Sequence, residues 1–178
     1  GVNVNLALGT ALDGWGAVDT LSGIEQVQGS RLNDTITGDS DSNRLDGSEG
    51  SDRIAGGAGG DFLIGGADAD TFDWNAGDQG SGDPAVDYVE DFSSNDGDRL
   101  DLRDLLVGEN GSNLDQYLDF HFNGTTTFID IRSTGQSGTV DQQIALLEVD
   151  VTEGSTLSDA TIINNLLSSG TLLADGII

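Results

Sequence analysis

A nine-residue period runs through the first half of the chain and constrains its fold more than any other feature. The five units from Gly29 to Asp73 read GSRLNDTIT, GDSDSNRLD, GSEGSDRIA, GGAGGDFLI and GGADADTFD. Each unit begins with Gly and, except at Asn43, carries Asp at its sixth position. A fixed period of this kind predicts a solenoid, in which every repeat adds the same structural unit. Large apolar residues hold the register at every ninth position: Val18, Val27, Ile36, Leu45, Ile54, Leu63 and Phe72.

Each unit divides into a turn and a short strand. The first part of the unit is rich in Gly and Asp and favours a turn, because glycine reaches positive φ at little cost. The last part places one apolar side chain between two outward-facing ones, as in a strand with one buried face. Two units complete one coil, so every second turn stacks on the same edge. Stacking places Asp34, Asp52 and Asp70 along one edge, and Asn43 with Asp61 along the other.

The stacked acidic side chains need a cation between them. Neighbouring coils lie about 4.8 Å apart, and at that separation two carboxylates repel by roughly 1–4 kcal/mol, depending on the dielectric. Ca²⁺ accepts about six to eight oxygen ligands in loose geometry, whereas Mg²⁺ demands a tighter octahedron. Oxygen-only ligands also disfavour zinc and copper. We therefore expect several Ca²⁺ ions along the solenoid.

The acidic composition excludes several partners. The chain has 32 Asp and Glu against 6 Arg and no Lys, a formal net charge of -26. Nucleic acids and anionic membrane surfaces both require basic surface on a partner, so neither is expected to bind. No apolar stretch approaches the ~18 residues of a membrane span, so membrane insertion is not expected either. A chain of this charge and modest hydropathy is predicted to stay unfolded unless a cation neutralises the acid.

The five units resemble the G-G-x-G-x-D-x-U-x nonapeptide of RTX calcium-binding β-rolls, in which U is a large apolar residue. The resemblance implies a mainly β fold: a right-handed parallel β-roll, the RTX solenoid, with an α+β C-terminal cap. It divides the chain into an N-terminal cap of the roll at 1–28 and the calcium-binding β-roll at 29–73. The remainder, 74–178, is expected to hold the C-terminal cap and a secretion signal region.

The resemblance also implies which residues bind calcium. In that family each ion takes turn carbonyls and the sixth-position Asp from one turn and from the next turn on the same edge. One site then joins Ser48, Gly50 and Asp52 to Gly65, Ala67 and Asp70. A second joins Ser30, Leu32 and Asp34 to Gly47, Glu49 and Asp52. A third joins Asp39, Asp41 and Asn43 to Gly56, Ala58 and Asp61.

The third site departs from the family pattern, because Asn43 is neutral and Asp39 and Asp41 replace Gly. Gly57, Gly59 and Asp61 would open another site, but the turn expected next begins at Trp74 and lacks the motif. A D-x-x-x-D-F stretch after the array closes the roll in the family. Here that stretch adds two further calcium candidates, Asp87 and Asp91.

Both flanks of the array are expected to close the roll. In the N-terminal cap, Val2, Val4, Leu6 and Leu8 alternate as in a strand, and Ile24 and Val27 continue the inward row. Repeat arrays need such closing elements to cover apolar surface. Two Trp residues near the ends of the array, Trp15 and Trp74, are expected to cap it.

The C-terminal half predicts a compact α+β structure. Asn123-Gly124 is a hairpin signal between strands at 120–122 and 129–131, and 144–151 reads as another strand. Ser158 is the expected N-cap of a helix that ends at Gly170. Three stretches, DYVEDFSSNDGDRLDLRDLL, NLDQYLDF and ATIINNLLSSGTLLADG, resemble the C-terminal type I secretion target domain of very large RTX adhesins. In that family the extreme C-terminus is an uncleaved signal for a type I secretion ABC transporter system.

The sequence offers little for catalysis. The only His, His121, stands on the strand face opposite Phe120 and Phe122, which favours a solvent-facing position over a catalytic base. The Gly-rich run belongs to the nonapeptide and contains no phosphate-binding loop, and the Asp pairs are accounted for by the repeat. We expect no active site in this chain.

The resemblances leave two functions open. One is a calcium-dependent folding and type I secretion module at the C-terminus of a large extracellular RTX adhesin, serving cell adhesion and biofilm formation. The other is the C-terminal RTX module of a secreted enzyme, such as a protease, lipase or alginate epimerase, with its catalytic domain upstream of Gly1. Both imply a secreted or cell-surface protein of a Gram-negative bacterium. The module itself is expected to be monomeric.

Overall fold

The computed structural model of the protein describes residues 1–79, 84–110, 112–135 and 138–175. Within these ranges two β-sheets contain almost all of the regular structure. The first sheet has the strand order β15-β11-β9-β7-β5-β1-β2-β3, and the second has the order β12-β13-β14-β10-β8-β6-β4. The strands are β1 (Asn3–Asn5), β2 (Thr10–Leu12), β3 (Val18–Thr20), β4 (Gln26–Gln28), β5 (Thr35–Thr37), β6 (Arg44–Glu49), β7 (Arg53–Ala55), β8 (Phe62–Ala67), β9 (Thr71–Asp73), β10 (Ala85–Val89), β11 (Arg99–Asp101), β12 (Leu118–Phe122), β13 (Thr126–Ile131), β14 (Gln142–Leu147) and β15 (Leu172–Leu173).

The array forms the predicted parallel β-roll. Successive strands alternate between the two sheets, and strands one coil apart pair in parallel. Thr35 is opposite Arg53 and Arg53 is opposite Thr71 in the first sheet, while Arg44 is opposite Phe62 in the second. The coil of two repeat units is thus confirmed. Strands β6 and β8 run into the following turns, where Ser48 pairs with Gly66.

The core of the roll is a single column of side chains between the two sheets. Each nonapeptide contributes its one apolar residue, because only the central residue of each x-U-x strand faces inward. All five members of the column are fully buried: Ile36, Leu45, Ile54, Leu63 and Phe72.

The roll continues past the array, although the spacing along the chain becomes longer than two repeat units. Strand β10 pairs in parallel with β8, so that Tyr88 is opposite Phe62. Strand β11 pairs in parallel with β9, so that Arg99 is opposite Thr71. Val89 and Leu100 extend the buried column. The longer turns therefore insert residues without breaking the stacking.

The N-terminal flank differs from its prediction. Strand β1 covers only Asn3–Asn5, and β2 and β3 add to it as antiparallel strands. Val18 consequently lies on the edge of the sheet, 65% exposed, although it fits the nine-residue period. Leu8 and Ile24 are exposed as well, so neither belongs to an inward row. Trp15, in the β2–β3 turn, is 95% exposed, and its predicted capping role was wrong.

Within the described residues, the C-terminal half completes the second sheet and adds one helix. Strand β14 pairs in parallel with β10, and β13 and β12 follow as an antiparallel meander. The predicted hairpin is confirmed, with Asn123, Gly124 and Thr125 as the connection between its strands. The strand expected at 144–151 is β14, which ends at Leu147.

The helix α1 spans Asp159–Ser169, with Ser158 as N-cap and Gly170 in the left-handed conformation at φ 74°, as predicted. A 3-10 turn at Leu114–Gln116 packs beside it. No helix in the described ranges is long and apolar enough to cross a membrane. The fold is therefore mainly β, a β-roll with a small helical element at its C-terminal end.

Candidate calcium-binding ladder

The sixth-position side chains form a hydrogen-bonded ladder along each edge of the roll. On one edge the backbone N–H of Asp34 donates to Oδ1 of Asp52 (2.7 Å), and that of Asp52 donates to Oδ1 of Asp70 (2.8 Å). On the other edge the N–H of Asn43 donates to Oδ1 of Asp61 (2.8 Å). All five side chains are buried. In each of Asp52, Asp61 and Asp70, the preceding coil therefore fixes one carboxylate oxygen, Oδ1, by a hydrogen bond. The second oxygen, Oδ2, takes no part in that bond.

Three of these second oxygens are buried without a partner. Oδ2 of Asp52, Asp61 and Asp70 has no hydrogen bond within the described residues and no access to solvent. Burial raises the pKa of Asp52 to about 6 and the pKa of Asp61 and Asp70 to about 7, and neighbouring carboxylates add to the effect. Burying a charge without a partner is costly. The roll alone therefore holds negative charge that the chain does not compensate.

The glycine at the first position of each turn leaves room for two oxygens to meet. A Cβ on Gly47 would collide with Oδ2 of Asp52 and with the carbonyl oxygen of Gly65. Those two oxygens belong to successive turns of one edge, and both residues are in the sets predicted to bind calcium. Because Gly47 has no side chain, Oδ2 of Asp52 and the carbonyl oxygen of Gly65 can both approach its Cα.

The second and third predicted sites repeat this convergence with differences. Oδ2 of Asp34 and the carbonyl of Gly47 meet at Gly29, but the N–H of Ser30 already donates to that oxygen. Oδ1 of Asn43 and the carbonyl of Gly56 meet at Gly38. The N–H of Asp39 donates to the same oxygen of Asn43 (2.9 Å). The first site is thus the one in which both carboxylates, those of Asp52 and Asp70, keep a free oxygen.

The two candidates from the D-x-x-x-D-F stretch both accept hydrogen bonds from the protein. Asp87 is fully buried and accepts hydrogen bonds from the N–H of Asp61 (2.9 Å), Nε1 of Trp74 (2.7 Å) and Nε2 of Gln142 (2.8 Å). Its carboxylate is satisfied by the protein itself. Trp74 is 1% exposed and closes the end of the roll through this bond, as predicted. Asp91 is exposed and accepts from two backbone amides of the last repeat.

Sequence reasoning missed one member of the ladder, Asp98. Its Oδ1 accepts from the N–H of Asp70 (3.0 Å), and the side chain is buried. Burial raises the pKa of Asp98. A signal was present, because Asp98 precedes Leu100 by two positions, as Asp70 precedes Phe72. It was overlooked because it stands further along the chain from Asp70 than one coil of the array.

The donor set fits calcium. Among the described residues no three His, Cys, Asp or Glu side chains form a ready-made metal cluster, so an ion must draw on backbone carbonyls. Mixed carboxylate and carbonyl oxygens in irregular geometry are the ligands of Ca²⁺. The partnerless oxygens supply the negative charge that such a site requires. The assignment of particular residues to each ion stays a prediction.

Comparison with known proteins supports the same interpretation. The model of the RTX calcium-binding nonapeptide repeat (four copies) matches residues 19–54 and 46–78. No curated protein sequence matches the chain. The solution structure of the AlgE6R2 subunit of the Azotobacter vinelandii mannuronan C5-epimerase is 23% identical, with a TM-score of 0.52. That match covers 88% of this chain and 97% of the subunit. The AlgE6R3 subunit of the same epimerase is 26% identical over 85% of this chain and 84% of that subunit, with a TM-score of 0.47.

These findings define the class of the molecule. Residues 19–78 carry RTX calcium-binding repeats, and the likeness to the AlgE6R2 subunit shows a common fold. The chain therefore contains a calcium-binding RTX β-roll, and the cofactor of its repeats is Ca²⁺.

Proposed function

We propose that this chain is a calcium-dependent folding and type I secretion module at the C-terminus of a large extracellular RTX adhesin. The observation that carries the proposal is the set of buried, partnerless oxygens on Asp52, Asp61 and Asp70. A roll with such an interior is complete only when a cation is supplied. Its folding is therefore controlled by the calcium concentration around it.

The export function follows from the difference in calcium across the cell envelope. Inside the cell, where free Ca²⁺ is scarce, repulsion within a chain of net charge -26 keeps it extended and able to thread a channel. Outside, if ~4 ions are each present at ~10 times their dissociation constant, linkage contributes roughly 1.4 kcal/mol per site, or about 5–6 kcal/mol in total. That is comparable with the entire stability of a small domain. Folding at the exit then opposes return through the channel.

The secretion signal is assigned to the last segment of the chain by its resemblance to RTX adhesins. The helix α1 and the residues after it form this segment, of which 176–178 lie outside the described residues. The partner during export is a type I ABC transporter system of a Gram-negative bacterium. The folded module is monomeric and extracellular, and binds neither nucleic acid nor membrane.

A calcium titration followed by far-UV circular dichroism tests the folding part of this proposal. Strand signal is expected to rise cooperatively with Ca²⁺ and to disappear on chelation, whereas Mg²⁺ at the same concentration restores less of it. An array equally folded in chelator contradicts the proposal.

Co-expression with a type I transporter system tests the export part. The chain is expected in the medium when calcium is present outside, and a chain that lacks 159–178 is expected to stay in the cell. Retention of both chains in the cell, or export of both, rejects the assignment of the secretion signal to 159–178.

The alternative function is the C-terminal RTX module of a secreted protease, lipase or alginate epimerase. The calcium module would fold in the same way in an adhesin and in a secreted enzyme. The upstream region of the parent protein therefore distinguishes the two functions. An upstream region of tandem immunoglobulin-like repeats indicates an adhesin. An H-E-x-x-H or G-x-S-x-G motif upstream indicates an enzyme.

A further inference from the structure

The connection between β12 and β13 contains an asparagine followed by a glycine, Asn123-Gly124. Both residues and the next, Thr125, are exposed. An asparagine loses its side-chain amide most readily in such a pair, because glycine has no Cβ to keep its backbone nitrogen away from the side chain before it. A second pair, Asn110-Gly111, includes Gly111, which lies outside the described residues. The β12–β13 hairpin therefore carries a chemically reactive pair at its tip.

Gly124 leaves its own backbone nitrogen accessible. Its φ is 102°, and a Cβ at this position would meet no other atom within 4 Å. Within the described residues the N–H of Gly124 donates no hydrogen bond. The nitrogen is thus free to lose its proton and to approach the side chain of Asn123.

Two backbone amides hold the side-chain oxygen of Asn123. The N–H groups of Thr125 and Thr126 both donate to Oδ1 of Asn123, each at 3.0 Å. Attack on the side-chain carbon, Cγ, places a negative charge on this same oxygen. Donors fixed about 3 Å from such an oxygen stabilise the charge as it develops, as in an oxyanion hole. The hairpin therefore favours the reacting state of the amide and also exposes it.

We propose that Asn123 is a site of spontaneous deamidation, promoted by the two amides of its own hairpin. The backbone nitrogen of Gly124 gives its proton to water and bonds to Cγ of Asn123, and the Cγ–Nδ2 bond breaks. Nδ2 takes up a proton and leaves as ammonia, which closes a succinimide ring. Water then opens the ring at Cγ to give aspartate, or at the main-chain carbonyl carbon to give isoaspartate. The net reaction consumes one water, releases one ammonia and oxidises nothing.

The two products affect the hairpin differently. Aspartate keeps an acceptor oxygen for the amides of Thr125 and Thr126 and adds one negative charge. Isoaspartate inserts an extra carbon into the main chain between β12 and β13, which displaces the bond from the N–H of Asn123 to the carbonyl of Thr126 (3.2 Å). Strand β12 also contacts α1, because Asp159 accepts from the N–H of Phe120 (3.0 Å). Isoaspartate is therefore expected to loosen β12 where it meets α1.

Two other asparagines serve as internal controls. Oδ1 of Asn5 accepts from the N–H of Leu8 (2.7 Å), and Oδ1 of Asn113 accepts from that of Asn110 (2.7 Å). Both are followed by a leucine, whose Cβ hinders the attacking nitrogen. Neither is therefore expected to convert at a rate comparable with Asn123.

Peptide mapping by mass spectrometry tests the inference on the folded full chain, kept in calcium at mildly alkaline pH. The wild-type chain is expected to convert at Asn123 while Asn5 and Asn113 stay intact. Gly124→Ala is expected to slow the conversion by about tenfold, because its Cβ hinders the nitrogen. A folded wild-type chain in which Asn123 stays intact overturns the inference.

The same chain unfolded in guanidinium chloride separates the reactive pair from the effect of the fold. It keeps Gly124 but loses the two fixed amides, so the folded chain is expected to react faster, by about tenfold. A folded chain that converts no faster than the unfolded one overturns the inference. Because this comparison needs no variant, it decides even if Gly124→Ala fails to fold. None of these outcomes depends on the ions of the array, so failure here leaves the proposed function standing.

Discussion

The array and the C-terminal half stabilise their interiors by opposite means. Between Gly29 and Asp73 the core is one side chain wide, and buried carboxylates with free oxygens lie on both sides of it. The C-terminal half buries a broader apolar cluster where α1, the 3-10 turn and the β12–β14 meander meet. Its members include Leu114, Tyr117, Leu118, Phe120, Ile129, Ile131, Ile144, Ile162, Ile163 and Leu166.

Acidic residues of the C-terminal half also find partners within the protein. The Asp141 carboxylate accepts from the amide and the hydroxyl of Ser133, the latter at 2.6 Å. Asp159 accepts from the backbone N–H of Phe120 (3.0 Å). We therefore expect apolar burial to contribute more to the stability of this half, and bound ions to contribute more to that of the array. Loss of calcium should consequently weaken the array more than the C-terminal half.

Removal of calcium is expected to have the largest effect, and to act most strongly on the array. In chelator the strands β5, β7 and β9 lose the ions that offset buried charge beside them, whereas β13 and α1 pack through apolar side chains. Hydrogen exchange read by mass spectrometry should show amides of 35–73 losing more protection than those of 126–131 and 159–169. Equal loss of protection in both halves would contradict this difference between them.

Substitution of one shared ligand is expected to weaken the array by less than full chelation does. Asp52→Asn removes the carboxylate assigned to two predicted sites. At ~10 times the dissociation constant, loss of both sites costs about 2–3 kcal/mol of unfolding free energy. Urea unfolding in excess calcium measures it. The control is Asp46→Asn, half-buried on β6 and outside the ladder, for which a change below about 0.5 kcal/mol is expected. Equal losses in the two variants would refute the ligand assignment.

The array was predictable from the sequence because its period is imposed by stacking. The buried column and the two edges follow directly from one apolar residue and one Asp, or in one repeat Asn43, in each unit. The ends of α1 were predictable too, since Ser158 and Gly170 are local capping signals. Val18 was misplaced because the same period occurs there by coincidence, on a strand that antiparallel pairing carries away from the roll. Asp98 was missed because the added turn lengthens the spacing, which only the strand register reveals.

The pH dependence of folding should reverse sign with calcium. In chelator, the folded-state pKa of Asp52 is about 6 and that of Asp61 and Asp70 about 7, against an ordinary value of 3.8. The folded roll then binds protons more tightly than the unfolded chain. Its stability is greatest below the ordinary pKa and is lost as pH rises through 6–7. Acidification from about pH 8 to 5 should therefore restore strand signal in chelator.

In excess calcium, acidification is expected to lower the stability of the roll instead, because protons compete with the ion for the same oxygens. Far-UV circular dichroism followed across pH in both buffers provides the comparison. Stability that rises on acidification in both buffers would mean that the buried oxygens are not the calcium ligands.

The smallest effect is expected at a single turn position of the array. Ser48 occupies the second position of its repeat with φ 84°, whereas Gly57 and Gly66 hold the same position in the next two units at 89° and 103°. A side chain in the left-handed region costs roughly 1–2 kcal/mol that glycine avoids, although glycine is also more flexible in the unfolded chain. Ser48→Gly should therefore raise the unfolding free energy in calcium by up to about 1 kcal/mol.

The matched control is Ser51→Gly, further along the same turn, where the backbone is not among the positive-φ residues. At this position glycine only adds conformational freedom to the unfolded chain. The unfolding free energy is therefore expected to fall by about 0.4–1 kcal/mol. Opposite signs for the two variants would show that the turn geometry, and not the serine side chain, limits calcium-bound stability at Ser48. A loss at both positions would mean that Ser48 contributes through its hydroxyl, and the second position of this repeat would then not be a simple glycine site.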